Sequence, residues 1–181
     1  TQSSEMRIFH EHILVKEPKT SERTPWHQDQ PYYCVDGDQV CSIWLPLDLV
    51  PRKAGLEFIA GSHAWGKMFM PKKFLTNEEY TYEPGSFDSL PDIEANRDQY
   101  EILSWDLELG DCIVFHFKTL HGGPGNLSQR ARRRAFSSRW IGDDAVFADR
   151  SGETSPPFPE LSSFKQGDLF DHPLFPVCWK S

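Results

Sequence analysis

Alternation of apolar and polar positions divides the chain into short strand-like runs separated by turns. Met6 to Val15 (MRIFHEHILV) alternates imperfectly and is rich in β-branched and aromatic residues, while the polar KEPKTSERTP behind it closes on a proline. This predicts a strand followed by an exposed loop. Val40 to Leu49 (VCSIWLPLDL) predicts a second strand, PRKAG a turn, Leu56 to Ala60 a third strand, and GSH another turn. Cys112 to Phe117 (CIVFHF) reads as a buried strand. Arg133 to Ile141 (RRAFSSRWI) predicts a last alternating strand, with Arg133, Ala135, Ser137 and Arg139 on one face and Arg134, Phe136, Ser138 and Trp140 on the other.

Two regions break this rhythm. Gly66 to Tyr100 is polar, carries aromatics and sustains neither helical nor strand periodicity, which marks a functional lid or a short helical insertion. Beyond Gly142 the segments SPPFPEL and DHPLFP are too proline-rich for regular elements, so the tail is expected to be loop-like. Many short strands with little helix indicate an all-β fold, a sandwich or jelly roll, and a length of 181 residues fits one domain over 1–181. The 12 glycines and 14 prolines are dispersed, so they punctuate strands and do not signal a disordered tract.

Charge and cysteine usage narrow the function. A net charge of -8 argues against a general nucleic-acid binder, because neutralising phosphates needs a basic surface. The one basic cluster, Arg130 with Arg132, Arg133 and Arg134, runs into the last strand and needs a local explanation. Cys34, Cys41, Cys112 and Cys178 have neither CxxC nor finger-like spacing, so a thiolate zinc site or a disulfide framework is not expected and a reducing cytoplasm fits best. No apolar run approaches the roughly 20 residues that span a bilayer, and TQSSEMRIFH has no signal-peptide core. No membrane partner is expected.

The candidate chemistry centres on TPWHQDQPYY. In an extended stretch His27 and Asp29, two residues apart, point to one side and can bind a single metal ion together. His121 in LHGGPGN, just after the Cys112 to Phe117 strand, supplies a third ligand and completes a two-histidine, one-carboxylate set that leaves coordination positions open. A His-x-Asp pair alone is common. Its weight here comes from the distant His-Gly after a strand and from an arginine about a dozen residues later, suited to a two-pronged carboxylate contact.

These strings, TPWHQDQPYY, IWLPLD, AGLEFIAGSH, GDCIVFH, LHGGPGN and RRAFSSRW, resemble in order and spacing the phytanoyl-CoA dioxygenase family of Fe(II)- and 2-oxoglutarate-dependent oxygenases, from near residue 6 to near residue 142. The resemblance implies a double-stranded β-helix (jelly roll, cupin-like) with a lid insertion at 66–100 and few helices. It implies Fe(II) on His27, Asp29 and His121, dioxygen and 2-oxoglutarate as cosubstrates, and an arginine of the last strand on the far carboxylate. The family's strand pattern favours Arg133; counting forward from His121 at the commoner spacing gives Arg132. Trp44 matches a position beside 2-oxoglutarate in relatives and is carried over as a wall of the cofactor pocket, with a core aromatic as the alternative. Relatives usually carry helices ahead of the first strand, and this chain is expected to lack that portion.

Tyr32 and Tyr33 are candidates to line the substrate pocket or to pack, and Asn126 is expected to shape the turn after His121. His63 is expected to be structural, and His10, His12, His116 and His172 are not expected to bind metal. The resulting expectation is a dioxygenase hydroxylating a small-molecule or acyl substrate with release of succinate and CO2. Asp29 fills the position that halogenating relatives leave to chloride, while desaturation, ring closure and epimerisation stay open. A non-catalytic cupin-like binding protein is the alternative; a zinc hydrolase fits the ligands, but the chain has no HExxH.

Overall fold

The computed structural model describes residues 2–74, 76 and 78–181. Its strands, in chain order, are β1 Glu5–Lys16, β2 Thr24–His27, β3 Val35–Asp36, β4 Val40–Pro46, β5 Glu57–Ile59, β6 Ile102–Leu103, β7 Ile113–His116, β8 His121–Gly123, β9 Arg133–Ile141, β10 Val146–Phe147 and β11 Val177–Lys180. Helix among the described residues amounts to short 3-10 turns such as Gln30–Tyr32 and Arg97–Gln99. All pairings between the strands are antiparallel. One sheet runs β11-β1-β9-β4-β7, the second β2-β8-β5-β6, and β10 pairs β3.

A core cluster joins the two main sheets: Trp44, Phe115 and Ala135 from the first pack with Leu56 and Phe58 at β5 of the second. Burial of these alternating apolar side chains is the main force holding the sheets face to face. The inner face of the five-stranded sheet follows from its register. Lys16 lies opposite Arg133, Leu14 opposite Ala135, His12 opposite Ser137 and His10 opposite Arg139. On the other side of β9, Ala135 meets Pro46, Ser137 meets Trp44 and Arg139 meets Ser42. Directly opposed residues of an antiparallel pair project to the same side, so these rows line one interior.

The predicted all-β, cupin-like architecture is the one observed, and β9 keeps its expected bounds. Two local expectations need correction. The Cys112 to Phe117 strand forms only over Ile113–His116 and is half-buried, with Phe115 inside and Val114 58% exposed, because β7 is an edge strand covered on one face. The tail beyond Gly142 is not merely loop: β11 adds an edge to β1, and Phe158, Leu161, Phe164, Phe170 and Phe175 build a core around Phe9. Those apolar residues have no regular period, which is why alternation missed them. In the 66–100 stretch the helix described is the 3-10 turn Arg97–Gln99, and Phe69 and Ile93 pack with Trp26, Ile59 and Leu120 to cover the second sheet. No helix among the described residues is long and apolar enough to cross a membrane.

Candidate active site

His27 ends β2 and His121 opens β8, and the two are direct partners in the antiparallel pair, which brings their rings to 4.1 Å between centroids. Gly122 permits this closeness. A Cβ there would stand 3.1 Å from the Thr24 carbonyl oxygen and 3.3 Å from that of Pro25. Asp29 arrives differently from the sequence expectation. The chain leaves the strand after His27, and Asp29 takes helical angles (φ -73°, ψ -42°) at the head of the 3-10 turn Gln30–Tyr32. Its N–H and that of Gln30 both donate to the Phe117 carbonyl, at 2.8 and 3.1 Å, which docks the turn against the end of β7. Between the two candidate ligands, buried Gln28 donates to the Lys67 and Lys118 carbonyls and accepts from the Phe69 N–H, tying the start of the 66–100 stretch to the site.

The three side chains converge. Asp29 Oδ1 lies 3.7 Å from His27 Nε2 and 3.8 Å from His121 Nε2, and all three side chains are at most 9% exposed. Each Nδ1 sits 2.9 Å from a backbone carbonyl, that of Pro25 for His27 and that of Thr119 for His121. A carbonyl only accepts, so Nδ1 carries the proton and the Nε2 lone pair is left facing Asp29. Three donor atoms within 4.8 Å of one another, two imidazole nitrogens and a carboxylate oxygen, suit a first-row divalent metal. Burial holds His121 neutral, with its pKa pushed down to about 3, helped by the neighbouring His27.

The outer oxygen of Asp29 is fixed by residues whose part was not read from sequence. Ser42 on β4 donates to Oδ2 at 2.5 Å, and Arg139 Nε lies 3.6 Å from the same atom while donating to the Tyr33 hydroxyl at 2.9 Å. Burial alone would raise the Asp29 pKa; the charge of Arg139, followed by the two histidines, holds it well below the usual carboxylate range. With Oδ2 engaged, Oδ1 is the oxygen presented to the histidines. The signal for Arg139 was present in its period-two placement with Arg133, and Ser42 needed the pairing of β4 with β9.

These groups open into a cavity of about 210 Å³. At one end lie Asp29, His27 and His121; at the other lie Lys16, Thr24, Leu56 and Arg133, with Trp44, Phe115 and Ala135 as walls. Arg133 donates to the carbonyls of Ala54 and Pro124 and is buried. Arg132 is exposed and paired with Glu17, and Arg134 points outward to Asp48. Of the two arginines left open by sequence, only Arg133 faces the cavity. Tyr32, Tyr33, His12 and Ser155 also line it, and Phe74 is the one described residue of 66–100 to reach it, its ring 4.7 Å from that of His27. Leu75 and Asn77 lie outside the described residues.

The remaining residues stand apart from this cluster. Asn126 bonds the Lys16 and Ala131 carbonyls and accepts from the Ser128 N–H, so it shapes the turn after β8. His116 contacts the Asp38 carbonyl with its ring 5.7 Å from that of His63, and His172 packs on aromatic residues of the tail. His10 is buried beside His12 and Tyr33, and neither of its ring nitrogens has a hydrogen-bond partner among the described residues.

An antiparallel β barrel with two histidines and a carboxylate gathered inside one mouth defines the cupin-like class of metal-site proteins. Within it, the chain belongs to the phytanoyl-CoA dioxygenase (PhyH) family, whose model matches residues 2–135 and so includes His27, Asp29, His121 and Arg133. A probable phytanoyl-CoA dioxygenase of Caenorhabditis elegans is 26% identical over 150 residues, which cover 78% of this chain and 44% of that protein. The chain therefore spans less than half the length of this curated relative. Among solved structures, the non-heme alpha-ketoglutarate-dependent carbocyclase SnoK from nogalamycin biosynthesis shares the fold at TM-score 0.69 and 22% identity, covering 96% of this chain and 62% of that one. The epimerase SnoN, in complex with Fe3+, alpha-ketoglutarate and nogalamycin RO, shares it at TM-score 0.71 and 20% identity, covering 96% and 65%.

Proposed function

We propose that this chain is an Fe(II)- and 2-oxoglutarate-dependent dioxygenase acting on a small-molecule or acyl substrate. One observation carries the reading: three metal donors at one end of a cavity face an arginine at the other end that has no carboxylate partner among the described residues. Buried charges are rarely left unpaired, so a buried guanidinium bonded only to carbonyls fits an anionic ligand. In this reading His27, Asp29 and His121 hold Fe(II), Arg133 holds the far carboxylate of 2-oxoglutarate, and Trp44 walls the space between. Bound together with dioxygen, iron and 2-oxoglutarate supply an oxidant strong enough to break a C–H bond, with succinate and CO2 released.

A cavity of about 210 Å³ is below the roughly 300–1,000 Å³ of pockets that enclose drug-sized ligands. It suits the cosubstrate, and the substrate is assigned to the mouth, against Tyr32, Phe74, His12 and Ser155. With Asp29 present as third ligand, hydroxylation is the proposed outcome; carbocyclase and epimerase relatives of the same fold make product analysis part of the test.

The test is anaerobic addition of Fe(II) and 2-oxoglutarate, monitored for the weak visible charge-transfer band of the chelated 2-oxo acid. The band is expected in the wild type and lost in both His27→Ala and Arg133→Ala. A folded, iron-loaded wild type without the band would instead support a non-catalytic metal-binding barrel.

A further inference from the structure

The basic end of the cavity holds a second cation that the proposed function does not use. Lys16, the last residue of β1, lies directly opposite Arg133 in the β1/β9 pair, and both line the cavity. Its ammonium donates to the carbonyls of Glu22 and Pro124, each at 3.0 Å. Arg133 donates to the same Pro124 carbonyl at 3.4 Å. Sharing one acceptor sets the ammonium and the guanidinium side by side. Among the described residues neither forms an ion pair with a carboxylate; the neighbouring Arg23 is paired with Glu57 and Glu94, and Arg132 with Glu17.

Two adjacent cations repel each other, and partial burial strengthens the repulsion. Burial, then Arg133, then Arg23 depress the Lys16 pKa to about 8, against a smaller opposing pull from Glu22. A cross-strand pair of like charges lining a cavity is stabilised by an anion that bridges them. A single carboxylate has two oxygens, one for each cation. We propose that Lys16 is a second anchor for the distal carboxylate of the cosubstrate, and that the Lys16–Arg133 pair makes the cavity select a 2-oxo dicarboxylate over a 2-oxo monocarboxylate.

This inference rests on the proposed cosubstrate reading, and the test separates the two. Dissociation constants of 2-oxoglutarate and of 2-oxopentanoate, which keeps the chelating end and replaces the distal carboxylate with a methyl group, are measured anaerobically on the Fe(II) protein by calorimetry. The variants are Lys16→Met, Lys16→Gln, Lys16→Arg and Arg133→Met. Losing one charge-assisted contact is expected to weaken 2-oxoglutarate on the order of tenfold to hundredfold in Lys16→Met, with 2-oxopentanoate unchanged and Lys16→Arg close to wild type. Lys16→Gln keeps amide donors for the Glu22 and Pro124 carbonyls and should show the same selective loss should Lys16→Met fail to fold. Undiminished 2-oxoglutarate binding in Lys16→Gln or Lys16→Met, beside a loss in Arg133→Met, would overturn the role of Lys16 and leave the cosubstrate reading standing. A wild type that binds the two acids equally would overturn both.

Discussion

Arg139 should weaken metal binding while stabilising the metal-free protein. Its Nε lies 3.6 Å from Asp29 Oδ2, and both side chains are at most 8% exposed. At an effective dielectric of about 20, unit charges at that separation attract by about 4 to 5 kcal/mol. Removing one member of a buried pair leaves the other uncompensated and costs about 3–5 kcal/mol. Arg139→Met is therefore expected to lower the metal-free melting temperature on the order of 6–20 °C, at about 2–4 °C per kcal/mol for a chain of this size. A divalent ion at the triad restores a positive charge beside Asp29 and no longer faces the guanidinium. The variant should recover part of its deficit on metal binding, on the order of 1.4 kcal/mol or more, which is about a tenfold gain in affinity. Calorimetry with Mn(II) or Zn(II), beside thermal melts with and without metal, measures both quantities. Ser42→Ala is the control, since it removes only a neutral donor from Asp29 Oδ2 and should cost about 1.5–3 kcal/mol with little change in metal affinity. Weaker metal binding in Arg139→Met would refute the charge argument and show that the guanidinium acts by holding Asp29 in place.

Two further outcomes depend on pH. An anion favours protonated Lys16, whose pKa in the free protein is pushed down to about 8, so 2-oxoglutarate affinity should weaken as pH rises through about 8 in the wild type and stay level in Lys16→Arg; parallel curves would discount Lys16. His10 is kept neutral down to about pH 3 by burial, then by Arg139 and His12, whereas the unfolded residue takes up a proton near 6.5. Its contribution is fully present above pH 6.5 and declines toward pH 3 by up to about 1.4 kcal/mol per pH unit, and denaturant melts should show a shallower acid slope in His10→Phe than in the wild type.

Period-two alternation made much of this fold readable. It placed β9 residue for residue and put Arg133 and Arg139 on one face, because a strand whose two faces meet different surroundings must keep its register. It read Cys112 to Phe117 as buried on composition alone, and the structure leaves Val114 exposed, since apolar content does not reveal which strand lies at a sheet edge. The tail carried no period to read, yet its aromatic residues enclose Phe9 in a buried core. Nothing local to SPPFPEL predicts that contact, because its partner lies about 150 residues away in the chain.

The candidate site divides in the same way. His27 and His121 were legible as members of a pattern, and a cross-strand pair brings them together. Asp29 was grouped with the histidines by an argument that applies only in part: extended geometry ends at His27, and the carboxylate comes back to the histidines because its N–H and that of Gln30 are pinned to the Phe117 carbonyl. The roles of Ser42, Arg139 and Lys16 were not legible for a different reason, although the facing of Arg139 was. Each acquires its role from a partner on a neighbouring strand: Ser42 and Arg139 meet across β4 and β9 over Asp29, and Lys16 meets Arg133 across β1 and β9. The same strand β9 thus carries a cation to each end of the cavity, six residues apart on one face. Arg139 balances the carboxylate that faces the metal donors, while Arg133 has no protein carboxylate to balance among the described residues. That asymmetry, an internal salt bridge at one end and an unmatched charge at the other, is the physical reason to place an anionic ligand at Arg133 and not at Arg139.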